Sequence, residues 1–205
     1  IAFICEVLAP LHPEQVRRAL PTLLSGPSVP SDQPNSEAPR NLQFELFLAA
    51  QLAHSGFSVT LQEPDIVFVH DTETMGVAAK RPISRAQIVR RVREAVDQLQ
   101  TTGNIGLVAL SLDRLLPDAN PYVVAGSETA LDDAAQTLLK KAFQPHAHSI
   151  HEAIRSTRIT GLVVSMGLVG LVRVPWQTGH VTATLWLARD DDLPDESSLV
   201  RRIVL

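Results

Sequence analysis

Residues 63–81 read EPDIVFVHDTETMGVAAKR, from Glu63 to Arg81. An apolar run opens directly after Pro64-Asp65, a polar turn follows at Asp71-Thr72-Glu73-Thr74, and a second apolar run ends on Lys80 and Arg81. Short β-branched and aromatic runs bounded by such turn residues are strands, and the turn makes these two a hairpin. Side chains alternate across a strand, so Ala78 and Lys80 share one face of the second strand while Val77 and Ala79 share the other.

Upstream, residues 57–62 supply a further strand, and residues 41–55 a helix with Asn41 as N-cap and Gly56 as stop. At about 100° per residue, Gln43, Gln51 and His54 fall on one side of that helix, which faces solvent. Glu45 falls opposite them, among Leu48, Ala49 and Leu52. A carboxylate aimed at the interior requires a cation, a metal or a hydrogen-bond partner; a buried structural ion pair would satisfy it as well as a catalytic role. Downstream, Ser84 and Gln87 form a capping box ahead of a helix whose buried stripe is Ile88, Val92, Ala95, Val96 and Leu99. Residues 105–112 read as another strand. Helix, three strands, helix, strand is an α/β unit whose mixed sheet carries a helix on each face.

With Glu45 on the first helix, Pro64-Asp65 at the second strand and Lys80 near the end of the third, the αβββαβ order resembles the PD-(D/E)XK, restriction-endonuclease-like nuclease superfamily. The phrase around Lys80 is similar to its Mrr-type members. The resemblance covers residues 41 to about 113, with the rest a C-terminal α/β elaboration. It implies a hydrolase that cleaves nucleic acid, DNA first, with Mg²⁺ or Mn²⁺. It also implies Asp65 as principal metal ligand, Glu45 as a ligand directly or through water, the Ala79 backbone carbonyl as a further ligand, and Lys80 as the group that orients the attacking water. Such an ion neutralises charge on the phosphorane and generates hydroxide near neutral pH, and Mg²⁺ prefers oxygen donors.

One position departs from the pattern. Where the superfamily places a carboxylate two residues before the lysine, this chain has Ala78, and a methyl group ligates nothing. Three explanations are open: an introduced inactivating substitution, an acid supplied from elsewhere, or a catalytically inactive nuclease-like module that binds nucleic acid or protein. Glu63, Asp71, Glu73, Asp113, Gln87 and Glu94 are the candidate substitutes.

Between Lys80 and Arg93 the chain carries Lys80, Arg81, Arg85, Arg90, Arg91 and Arg93 and no acid. Arg90 can pair with Glu94 and Arg93 with Asp97 at helical spacing. Arg81, Arg85 and Arg91 are left as phosphate-binding candidates, although a solvated helix face also explains the strip. Overall charge gives no help, since a net −4 and a pI near 6.0 create no global attraction to nucleic acid.

The first forty residues differ from residues 41–205, which read as the nuclease-like domain. Residues 13–24 form an amphipathic helix with Val16, Leu20, Leu23 and Leu24 on its apolar side, and residues 25–40 a Pro/Ser-rich linker. In the C-terminal half, Ser127 caps a helix to Phe143 with Leu131, Ala134, Ala135, Leu138 and Leu139 inside. Residues 159–174 and 180–188 are strands, with Gly167 and Gly170 suggesting a bulge or turn. His146, His148 and His151 lack a zinc spacing and read as a surface cluster. Trp176 and Trp186 read as packing residues, and Asp190 to Asp192 as a solvated turn. A single cysteine, Cys5, among 205 residues fits a reducing, cytoplasmic setting. No stretch suggests a membrane span, and a second copy of the chain is an admissible partner.

Overall fold

The structure, a computed structural model, describes residues 9, 11–25, 37–70, 72–116, 122–155, 157–173 and 176–188. Residues 26–36 and the acidic run at 190–192 lie outside them, as do the side chains of Trp176 and Trp186. In chain order the elements are α1 (Pro13–Leu24), α2 (Glu37–His54), β1 (Ser58–Gln62), β2 (Asp65–His70), β3 (Glu73–Lys80), α3 (Ile88–Thr101), β4 (Ile105–Ser111), β5 (Tyr122–Ala125), α4 (Glu128–Phe143), α5 (Ala147–Ile154), β6 (Ile159–Arg173) and β7 (Trp176–Ala188). The protein is α/β, with a mixed seven-stranded sheet flanked by helices. None of the described helices is long and apolar enough to cross a membrane.

The hairpins form as their turn residues direct. The pairs Gln62↔Asp65 and His70↔Glu73 leave two-residue turns at either end of β2, so β1, β2 and β3 run antiparallel in sequence order. Returning through α3, the chain lays β4 parallel to β3, with Ala79 opposite Ala109 and Lys80 opposite Leu110. β6 is long enough to carry β4 beside its first half and β5 beside its second, both parallel to it. β7 runs antiparallel along its other edge, from Gly161 to Arg173.

Strand alternation sorts the side chains into two apolar layers. Ile66, Phe68, Met75, Val77, Ala79, Leu107, Ala109 and Val163 lie under α1 and α2 with Leu46, Ala49 and Leu52. Ala78, Val108, Leu110, Leu162, Val164, Met166 and Leu168 lie under α3, α4 and α5. The stripe Ile88, Val92, Ala95, Val96 and Leu99 is buried as its spacing requires, and Gln43, Gln51 and His54 are exposed.

Several boundaries differ from the sequence reading, each for a physical reason. α2 starts at Glu37, not Asn41, because Pro39 sits within the first turn, where its missing N–H breaks no helical bond. On α1 the buried side is Val16, Ala19 and Leu23, whereas Leu20 and Leu24 are 37% and 76% exposed. The capping box does not form. The Ser84 side chain makes no cap bond, and Gln87 Oε1 accepts instead from Ile83 N at 3.2 Å, ahead of a 3₁₀ turn over Arg85–Gln87. Ser127 caps α4 as read, accepting from Ala130 N at 3.2 Å.

Gly167 and Gly170 lie inside an unbroken β6, without a bulge or turn. Gly170 is required for close packing, because a Cβ there would collide with the side chain of Leu131 on α4. The register shift falls at the other end of β6, where Thr160 is the extra residue opposite Gly106 and donates to its carbonyl at 3.2 Å.

Candidate active site

The two helices that cover opposite faces of the sheet leave a gap at its end, where β2 begins and β3 finishes. One wall is a face of α2 at helical spacing, Glu37, Asn41 and Glu45; the other is a face of α3, Arg91, Glu94 and Gln98. Asp65, Ala79, Lys80 and Arg81 form the floor of a cleft of about 400 Å³. Glu45, Asp65 and Lys80, far apart in the chain, are thereby brought together. Such crevices beyond the carboxyl end of a parallel strand are where open α/β sheets place ligands.

Asp65 and Lys80 are each 18% exposed and form an ion pair at 3.4 Å. Asp65 Oδ2 also accepts from Ala79 N at 2.7 Å, which fixes the carboxylate against the end of β3. Gln98 ties the floor together. Its Oε1 accepts from Lys80 Nζ, and its Nε2 faces Pro64 O, Glu63 Oε2 at 3.0 Å and Asp65 Oδ1 at 3.3 Å. Lys80 is therefore aimed by two partners on two elements.

Glu45 makes no hydrogen bond or ion pair among the described residues. Burial, then the neighbouring Asp65 carboxylate, raise its pKa to about 7 against the pull of Lys80, with Glu63 adding a smaller upward push. Burial also raises Asp65 above the ordinary carboxylate range, opposed by Lys80 and by the bonds from Ala79 N and Gln98. Glu45 is half-buried and lines the cleft, on the side of α2 opposite the exposed Gln43, Gln51 and His54, as the helical projection reads it.

Ala78 is fully buried, packed in the layer that α3 covers with Ile88, Val92 and Ala95. The place of the absent acid is filled by apolar packing. Of the substitutes, Glu94 alone lines the cleft. Glu63 bonds Gln98, Glu73 stands at the opposite end of β3, Gln87 holds Ile83 N, and Asp113 accepts from Gly167 N at 2.7 Å. Asp71 lies outside the described residues.

Of the phosphate candidates, Arg81 and Arg91 line the cleft, whereas Arg85 is exposed on the 3₁₀ turn before α3 and does not. Arg91 is not free of partners, since its Nη1 meets Glu94 at 2.7 Å, and Arg90 reaches the same carboxylate at 3.5 Å. The Nε of Arg91 is buried without an acceptor among the described residues. His148 and His151 are exposed and His146 partly so. Among the described residues no three His, Cys, Asp or Glu side chains are grouped to hold a metal.

Sequence reading missed Gln98, Asn41 and Glu37. Gln98 lies seven residues beyond Arg91 and four beyond Glu94, a spacing that marks a polar stripe on α3 beside its apolar one. Glu37 and Asn41 were hidden by the misplaced start of α2. Comparison with protein-family models, with curated proteins and with solved structures found no match.

Proposed function

We propose that this cleft hydrolyses phosphodiester bonds of nucleic acid, DNA first, in the manner of the PD-(D/E)XK nucleases. The observation that carries the reading is the convergence of Glu45, Asp65 and Lys80. They meet at the end of a sheet whose first four strands run antiparallel, antiparallel, parallel, with a helix before them and another between β3 and β4. A purely structural role would require only the Asp65–Lys80 pair; it gives no reason for a second carboxyl beside them that has no hydrogen-bond or ion-pair partner among the described residues.

Glu45 and Asp65 supply hard oxygen donors, and the Ala79 carbonyl adds a third from the floor. This set suits Mg²⁺ or Mn²⁺, because Mg²⁺ keeps several waters and needs few protein ligands. Bound there, such an ion would neutralise charge on the phosphate and lower the pKa of a coordinated water. The remaining work falls to the chain's own groups. Lys80, held by Gln98 and Asp65, presents its ammonium to a phosphate oxygen or to the attacking water. Arg91, which lines the cleft with its Nη1 held by Glu94, adds positive charge beside the same phosphate. Glu94, which lines the cleft in ion pairs with Arg90 and Arg91, is the carboxylate we propose in place of the one that Ala78 lacks. Water and anions enter from the open side of the cleft, between α2 and α3.

The test is cleavage of single- and double-stranded DNA with Mg²⁺ or Mn²⁺. Loss of a preorganised charge that stabilises the transition state costs on the order of 10²–10³ in rate. Lys80→Met and Asp65→Asn should each fall by at least that much, and undiminished cleavage in Asp65→Asn would remove the assignment. A second reading, a catalytically inactive module of the same fold that binds nucleic acid or protein, is favoured by the burial of Ala78 in apolar packing. It predicts binding without cleavage by every variant and by the parent.

A further inference from the structure

The long outer strand of the sheet lacks the features that keep an edge from pairing. β7 pairs with β6 along one side, and its other side has no partner among the described strands. Open edges are blunted by lysine, proline, a bulge or short length, because a row of unpaired N–H and C=O groups is a template for another strand. β7 has none of these. Its thirteen residues read WQTGHVTATLWLA, with His180 the only ionisable side chain and no proline, and its register against β6 is unbroken from Trp176 to Ala188. At the opposite edge, β1 has five residues and is bracketed by Gln15.

Side chains along the β7 edge are only half covered. Val181, Leu185 and Leu187 pack on the apolar layer beneath α4 yet stay partly exposed. Thr182 and Thr184 alternate with them on the other face and are partly exposed too. α4 lies over this part of the sheet, its Leu131 in one cluster with Val172 and Val181. The charges of α4 are sorted along its axis. Glu128, Asp132 and Asp133 stand in its first two turns and Lys140 and Lys141 in its last, all exposed. Asp132, Asp133, Lys140 and Lys141 make no ion pair among the described residues.

A second copy of the chain, related by a two-fold axis normal to the sheet, fits each of these features. It sets β7 antiparallel to itself, so that every contact of residue i with residue j is repeated as j with i. Full overlap of residues 176–188 centres on Thr182. Paired threonines are favourable cross-strand neighbours, and a strand without charge brings no like charges together. The same axis reverses α4, so the acidic half of each helix faces the basic half of the other. At ~3.4 Å per residue and an edge ~10 Å deep, the strands alone bury on the order of 900 Å² in total, near the ~1,000 Å² of a specific interface before α4 is added.

We propose that the chain forms a two-fold dimer through β7, with one sheet continuous across both copies and α4 packed against its counterpart. The cleft lies beyond β4 and β6 from this edge, so the dimer stands or falls separately from the cleavage reading.

The test is sedimentation velocity of the full chain from about 1 to about 100 µM, where an interface of this size holds weakly. The parent should dimerise reversibly. Thr182→Lys sets two ammonium groups opposite each other at the axis and should weaken the dimer at least about tenfold, with far-UV circular dichroism unchanged. Two charge-reversed variants test the helix pairing, one with Asp132→Lys and Asp133→Lys, the other with Lys140→Asp and Lys141→Asp. Each should be monomeric alone, and an equimolar mixture should recover a heterodimer, a result that misfolding cannot produce. A parent that stays monomeric at about 100 µM, its edge covered by another segment of the chain or open to a different protein, overturns the proposal. So does a dimer indifferent to Thr182→Lys, which places the contact elsewhere. Reversed variants that dimerise alone as the parent does overturn the two-fold arrangement of α4.

Discussion

A carboxyl group whose pKa is raised carries a pH signature. In the folded protein Glu45 titrates at about 7, against 4.5 as the ordinary value. Between those values the folded state holds a proton that the unfolded chain has released. Stability therefore declines as pH rises from about 4.5 through about 7, and stays lowered above that. Glutamine at 45 keeps the shape and removes the titration. Urea unfolding in EDTA should show Glu45→Gln gaining stability relative to the parent as pH is raised from about 5 to about 8. A difference that stays constant across this range would mean that Glu45 is not the desolvated carboxyl described here. Ala78 illustrates the opposite economy. It faces the same way as Lys80 but lies deeper, beneath α3, so the residue that the sequence marks as a gap is, in the fold, a piece of core.

Elements were legible where period and packing agree. The stripe of α3, the two hairpin strands and the C-terminal stop at Gly56, with its φ of +90°, follow from spacing and turn chemistry alone. What escaped depended on contacts distant in sequence. The start of α2 reads as linker until Glu37 is seen holding Arg114, 77 residues away. The glycines of β6 read as breaks because a strand shows nothing, locally, of the leucine that will pack against it. Gly106 carries the same lesson more strongly: a Cβ there would meet the backbone of Gly76 across the β3–β4 pair, which positions the floor of the cleft. Overpacking costs typically about 1–3 kcal/mol. Gly106→Ala should reach or exceed the top of that range in urea unfolding. Gly170→Ala should cost less, since the obstacle is a leucine side chain that can shift. Equal, negligible losses at both positions would contradict this packing.

Across the whole molecule, one sheet separates two apolar layers, and the polar groups that could do chemistry collect where the layers end. α1 belongs to this construction. Val16, Ala19 and Leu23 pack into the layer beneath α2, and the Gln15 amide brackets β1 by accepting from Leu61 N and donating to Val59 O, each at 3.4 Å. That bracket covers part of an edge strand that would otherwise be open to pairing. The architecture thus places Glu45, Asp65 and Lys80 at one end of a rigid frame, with Arg81 and Arg91 beside them. The proposed chemistry requires that frame to hold a divalent ion between carboxylates that otherwise repel each other. Mn²⁺ titration by calorimetry at a pH above 7, followed by DNA cleavage in the same samples, addresses this for the parent beside Asp65→Asn. One saturable site in the parent, lost in Asp65→Asn together with cleavage, is the predicted result; cleavage that persists in Asp65→Asn, or a parent that neither binds Mn²⁺ nor cuts DNA, would contradict it.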